Sequence, residues 1–170
     1  MIQDVRGRYA SEGEFYPLIH ETHDGLDTFA WAASQLWSSE IVGPSGDYLG
    51  ATQWLPARES PSALRAMVPS VTFSDMCAGC VYQGGAKVLH DLRWVVEDII
   101  SAEMRRRGVQ VDGRLDLESA LAEIPLASHP LIRQYALSYL DWLSHRTAVN
   151  RVFHDAARPS RLILPIIRRR

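Results

Sequence analysis

Residues 41–54 constrain this chain more than any other stretch: Ile41-Val42-Gly43-Pro44-Ser45-Gly46-Asp47-Tyr48-Leu49-Gly50-Ala51-Thr52-Gln53-Trp54. Ile41 and Val42 are β-branched and suit a short strand. Gly43, Pro44, Ser45 and Gly46 follow as small, turn-forming residues. From Tyr48 onward the run suits a helix. A strand that turns sharply into a helix projects one side chain from the apex of the turn. The neighbours must be small there, because bulky ones would clash with the backbone that approaches a ligand. This corner predicts an α/β chain with a parallel sheet and crossover helices.

The spacing matches a nucleophile elbow, in which small residues flank a reactive side chain two positions away on either side. Two registers compete. With Ser45 as nucleophile, the pattern is Gly43-Pro44-Ser45-Gly46-Asp47, and Asp47 stands where a small residue belongs. With Asp47 in the nucleophile position, small residues fall at Ser45 and Gly50, and the Tyr48–Trp54 run stays whole. The second register is favoured. A carboxylate is capable of nucleophilic catalysis; the other reading of Asp47 is an inert replacement of serine.

Elsewhere the chain alternates helix and strand, then turns helical. Asp24-Gly25-Leu26-Asp27 reads as a helix start with Asp24 as N-cap. Leu26, Phe29, Ala30, Ala33, Leu36 and Trp37 recur at helical spacing through Ser38. Ala63–Pro69 reads as a second short strand. Pro56 lies in the helix after the elbow and is expected to kink it or end it early. From Ala86, the residues Val88, Leu89, Leu92, Val95, Val96, Ile99 and Ile100 mark one face of a long helix that Gly108 ends. Arg105–Arg107 suit its C-terminus. Leu115–Glu123 and Leu131–Ser144 follow as further helices, the latter with Leu131, Tyr135, Leu137, Leu140 and Leu143 apolar.

Four collinear blocks over residues 2–147 resemble the Xaa-Pro dipeptidyl-peptidase-like, or cocaine-esterase-like (CocE/NonD), α/β-hydrolases. They are Gln3–Arg8 with Ser11–Phe15; Tyr48-Leu49-Gly50-Ala51-Thr52-Gln53-Trp54; Leu64–Ser70 with Ser74-Asp75 and Tyr82–Ala86; and Tyr139–His145. The Tyr48–Trp54 block is the most specific. The resemblance implies a doubly wound core with a helical cap, and acyl transfer to water through a Ser-His-Asp triad. It divides the chain into a partial core over 1–85 with the elbow, a helical cap over 86–150, and the start of a returning core strand with a basic tail over 151–170. It assigns the backbone N–H of Tyr48 to the oxyanion hole, and Cys80 and Tyr82 to the substrate pocket. The implied substrate is a small acyl ester or amide.

The departures carry as much weight. Asp47 replaces the family serine, and the chain is one residue shorter between Val42 and Tyr48. Cys80-Val81 stands where the family places a tryptophan lining the acyl pocket. The segments carrying the triad acid and histidine, and the tyrosine of the oxyanion hole, have no counterpart here. The expectation is an internal fragment that is inactive alone. One alternative is a non-catalytic remnant completed by a partner chain that supplies the missing core strands. Another is aspartate-nucleophile chemistry at Asp47, as in dehalogenase-like members of this fold.

Composition bounds the remaining classes. A net charge of −2 over 170 residues argues against a dedicated nucleic-acid binder. Arg151, Arg158, Arg161 and Arg168–Arg170 read as a solvated basic terminus. No stretch approaches the roughly 20 apolar residues of a membrane span, and a cytoplasmic location is the default. Cys77-Ala78-Gly79-Cys80 lacks the second pair that a zinc site needs and reads as free thiols. His20 and His23 read as a solvated loop, His145 as packing, and His154 with Asp155 as no triad. No metal or other cofactor is expected.

Overall fold

The computed structural model describes residues 1–46, 50–73, 81–84, 86–110, 115, 117–122 and 124–144. They form two compact units. One comprises Tyr16 to residue 73; the other comprises Met1–Phe15 and residues 81–144.

The first unit contains α1 (Glu21–Ser34), β1 (Ser45–Gly46), α2 (Ala51–Ala57) and β2 (Val68–Pro69). β1 and β2 run parallel, with Ser45 opposite Val68 and Gly46 opposite Pro69. A parallel bridge between Val42 and Leu64 precedes them. The Val42 N–H donates to the Ala63 carbonyl at 2.9 Å, and the Arg65 N–H donates to the Val42 carbonyl at 3.2 Å. Parallel strands need a crossover, and α2 supplies it. The strand expected over Ala63–Pro69 is therefore present as the bridge at Leu64 and the pair at Val68–Pro69.

α1 begins earlier than the sequence suggests. His20 is its N-cap, and Asp24 lies inside the first turn, its N–H donating to the His20 carbonyl at 3.0 Å. His23 is therefore helical. α1 also ends earlier, at Ser34 rather than Ser38. The Ser34 hydroxyl and the Gln35 side-chain amide both donate to the Trp31 carbonyl, at 2.8 and 3.0 Å. These side chains compete for a last-turn acceptor, and Gln35 is extended. Phe29 and Ala32 are the buried residues of α1, while Leu36 and Trp37 lie beyond the helix and are exposed. Pro56 is the penultimate residue of α2, so the helix ends early, as expected, and its ring packs on Gly25 of α1.

The second unit opens with a hairpin, β3 (Tyr82–Gln83) and β4 (Ala86–Lys87), in which Tyr82 faces Lys87. A continuous helical rod follows: α3 (Leu89–Trp94), a π-helical segment (Val95–Ile100) and α4 (Ser101–Arg106). The apolar face read from the sequence is buried at Leu92, Val95, Val96, Ile99 and Ile100. Gly108, at φ +70°, ends the rod. The Val109 N–H donates to the Met104 carbonyl at 2.9 Å and the Gly108 N–H to the Arg105 carbonyl at 3.0 Å. This is a Schellman cap, which favours glycine at the left-handed position. Hydrogen bonds from Arg106 and Arg107 hold the Glu103 carboxyl below its usual range.

Beyond the rod lie α5 (Leu117–Ala122), a 3-10 turn (Leu126–Ser128), α6 (Pro130–Tyr135) and α7 (Leu137–Ser144). The single helix expected over Leu131–Ser144 is thus two. Ala136, at φ −138° and ψ 54°, breaks it. The buried residues of this stretch are Ile132, Tyr135, Ala136, Tyr139 and Trp142, whereas Leu137 is exposed. Trp142 stacks on Trp94 of α3 at 6.3 Å and meets Tyr139 edge-on at 6.2 Å. These aromatic contacts seat α7 on the rod.

Candidate functional site

The strand–turn–helix corner sits in the first unit. Ser45 is an exposed residue of β1, and its backbone pairs with Val68. The Val68 N–H donates to the Pro44 carbonyl at 3.0 Å. α2 begins at Ala51, and the Gly50 carbonyl accepts from the Gln53 and Trp54 N–H groups at 3.0 and 3.2 Å. Asp47, Tyr48 and Leu49 lie outside the described residues. The chain therefore passes from strand to helix between Gly46 and Ala51.

Packing explains why Gly50 must be small. A Cβ there would stand 2.8 Å from the Thr72 Cβ, 3.0 Å from the Pro69 Cβ and 3.0 Å from the Ser70 carbonyl oxygen. The helix N-terminus thus lies directly against β2 and the segment after it. The Gln53 side-chain amide adds a hydrogen bond to the Val68 carbonyl at 3.3 Å. Gly50→Ala is expected to lower stability by about 2 kcal/mol through overpacking. Chemical melts of the two proteins check this.

Tyr82 belongs to the other compact unit, and Cys80 lies outside the described residues. The Tyr82 hydroxyl donates to the Trp142 carbonyl at 3.4 Å. Opposite Tyr82 on the hairpin, the Lys87 ammonium lies 5.2 Å from the Tyr82 ring centroid and 4.9 Å from that of Tyr139. It contacts the Asp91 carboxylate at 2.5 Å. Asp91 is only 5% exposed, and its second oxygen accepts the Leu92 N–H at 2.9 Å. Burial pushes the Asp91 carboxyl above the usual carboxylate range, with Lys87 opposing the shift. Burial also pushes the Tyr139 phenol up, with the Asp91 charge adding to it.

Sequence reasoning singled out Tyr82 but missed Lys87 and Asp91. The signals were there: Gly84-Gly85 in the sequence suits a hairpin that sets Lys87 opposite Tyr82, and an acid four residues beyond a lysine suits an ion pair.

Among the described residues, no group of three or more His, Cys, Asp or Glu side chains is arranged to hold a metal ion. Nor is any helix among them long and apolar enough to cross a membrane. His145, His154, Cys77, the Ser74-Asp75 pair and the basic tail lie outside the described residues.

Three comparisons place the chain among known proteins. The model of the X-Pro dipeptidyl-peptidase (S15 family) matches residues 1–162. Cocaine esterase from Rhodococcus sp. (strain MB1 Bresler) is 35% identical over 145 residues, which takes in 78% of this chain. The chain spans 25% of that relative's length. A solved CocE/NonD family hydrolase from Staphylococcus aureus is 34% identical, with a TM-score of 0.42 over 48% of this chain and 15% of that one. On the strength of the family match over residues 1–162, the chain belongs to the X-Pro dipeptidyl-peptidase (S15) family.

Proposed function

We propose that the corner from Ile41 to Ala57 is the nucleophile elbow of an α/β-hydrolase that cleaves ester or amide bonds of small acyl groups. Asp47 takes the nucleophile position, the Tyr48 N–H donates to the oxyanion, and Cys80 and Tyr82 line the acyl pocket. Residues 86–150 serve as the helical cap. One observation carries the register: Ser45 is paired in β1, whereas α2 starts at Ala51. An elbow presents its nucleophile from the turn between strand and helix, so a residue paired in the strand is out of place for that role. The likeness to cocaine esterase supports an ester substrate.

Asp47 does not reproduce serine chemistry, and the chain aligns with a quarter of its relative. In this reading other parts of the parent enzyme supply the triad acid and histidine, so this chain alone turns over no substrate. The test is hydrolysis of p-nitrophenyl acetate by the purified chain and by the Ser45→Ala/Asp47→Ala double variant. Equal rates are expected; a wild-type rate tenfold above the variant sinks the claim of inactivity.

A second reading is a non-catalytic remnant completed by a partner polypeptide. It draws on the two-stranded parallel sheet, whose edges invite pairing, and on the exposed Trp31, Leu36, Trp37 and Ile41. Sedimentation of the chain as a stable, cooperatively melting monomer counts against it. Aspartate-nucleophile chemistry instead requires an alkyl ester on Asp47 after haloalkane treatment.

A further inference from the structure

We infer that Lys87 and Asp91 are positioning residues for Tyr82: their ion pair pins the β3–β4 hairpin to the helices, and neutralising Asp91 releases it. The hairpin has two residues in each strand. Its base is closed by the Val88 N–H donating to the Val81 carbonyl at 2.9 Å. So short a hairpin is marginal on backbone bonds alone. The Tyr82 hydroxyl bond to Trp142, at 3.4 Å, is longer than a strong hydrogen bond. Lys87 is what joins three elements. From β4, its ammonium lies against the Tyr82 ring of β3, the Tyr139 ring of α7 and the Asp91 carboxylate of α3. Cations over aromatic faces are attracted, more so when shielded from water, and the Lys87 side chain is only 20% exposed.

Among the described residues, the charged group that acts on Asp91 is Lys87 from β4, while Asp91 of α3 and Tyr82 of β3 act on Tyr139 of α7. Burial raises both Asp91 and Tyr139, so the phenol stays neutral in the acid range and the carboxyl is the group that changes charge there. Once Asp91 takes a proton, Lys87 keeps only the ring faces and the hairpin loses its anionic anchor. The sign matters. A carboxyl raised in the folded state binds its proton more tightly there than in the unfolded chain. Acid acting through Asp91 therefore does not unfold the unit as a whole; it loosens the hairpin locally. If Tyr82 lines the acyl pocket, as proposed above, one wall of that pocket moves with a proton. That consequence rests on the reading of Tyr82, whereas the pinning itself does not.

The test is hydrogen exchange of the Val88 amide in the full chain over a pH series from 7 down to the lowest pH at which the thermal melt stays cooperative, corrected for the intrinsic rate. Wild-type protection is expected to fall at least fivefold across the series. Asp91→Asn is expected to show the low protection throughout, and Lys87→Arg to keep the wild-type response. A purely structural role for the pair would change stability without removing the pH response. Protection that is independent of pH in the wild type, or an Asp91→Asn protein with the wild-type response, overturns the inference. If Asp91→Asn does not fold, the wild-type and Lys87→Arg series decide it. Because the readout requires neither substrate nor turnover, its outcome is separate from that of the acyl-hydrolase reading.

Discussion

Replacing Lys87 by methionine is expected to lower the stability of its unit by about 3 kcal/mol at neutral pH, because a buried carboxylate then stands without its cation. The hydrocarbon stem is kept, so the loss reports the charge. Asp91 already has a raised carboxyl with Lys87 present, and removing the lysine raises it further. The cost is therefore greatest above the folded-state pKa of Asp91 and fades as the pH falls, since a neutral Asp91 needs no partner. The Lys87→Met/Asp91→Asn double variant is expected to recover most of the loss, as removing both charges leaves no orphan. Melts followed by the fluorescence of the stacked Trp94–Trp142 pair supply the measurement. A Lys87→Met cost that is the same at pH 7 and pH 4 contradicts the electrostatic account.

Ile132→Ala is expected to cost about 3 kcal/mol, through lost transfer energy and the cavity left behind. Ile132 of α6 is 0% exposed. Leu137→Ala, five positions on, is expected to change stability by less than about 0.5 kcal/mol, because Leu137 is 64% exposed. Urea melts of the two variants separate them. Equal losses would contradict the difference in burial between the two side chains.

That contrast shows where the fold was legible and where it was not. The rod from Leu89 to Arg106 was legible because its apolar residues keep helical spacing over many turns and because Gly108 punctuates its end. The strand before residue 47 and the helix from Ala51 were legible because β-branched residues, small residues and a helical run follow one another within fourteen positions. The break at Ala136 was not legible: alanine is a good helix former, and nothing in the local sequence marks a helix end there. The end of α1 was hidden for another reason. Ser34 and Gln35 take the Trp31 carbonyl, while the periodic pattern runs on through Leu36 and Trp37.

The candidate site divides in the same way. Ser45 was one of two open choices from spacing alone; it lies in β1, paired with Val68, and Asp47 lies outside the described residues. Tyr82 was reachable only through family resemblance, and its supporting pair was overlooked because Lys87 and Asp91 look individually like surface charges. Their burial depends on α7 packing over them, which spacing within the hairpin and α3 does not reveal.

In the proposed reading, Asp47 and not an activated serine holds the nucleophile position. The most direct measurement treats the purified chain, shown to be folded by a cooperative melt, with a fluorophosphonate probe, followed by intact mass and peptide mapping. No adduct is expected. A single adduct on Ser45 would contradict that reading, placing an activated serine and its base within this chain and returning the elbow to the Ser45 register.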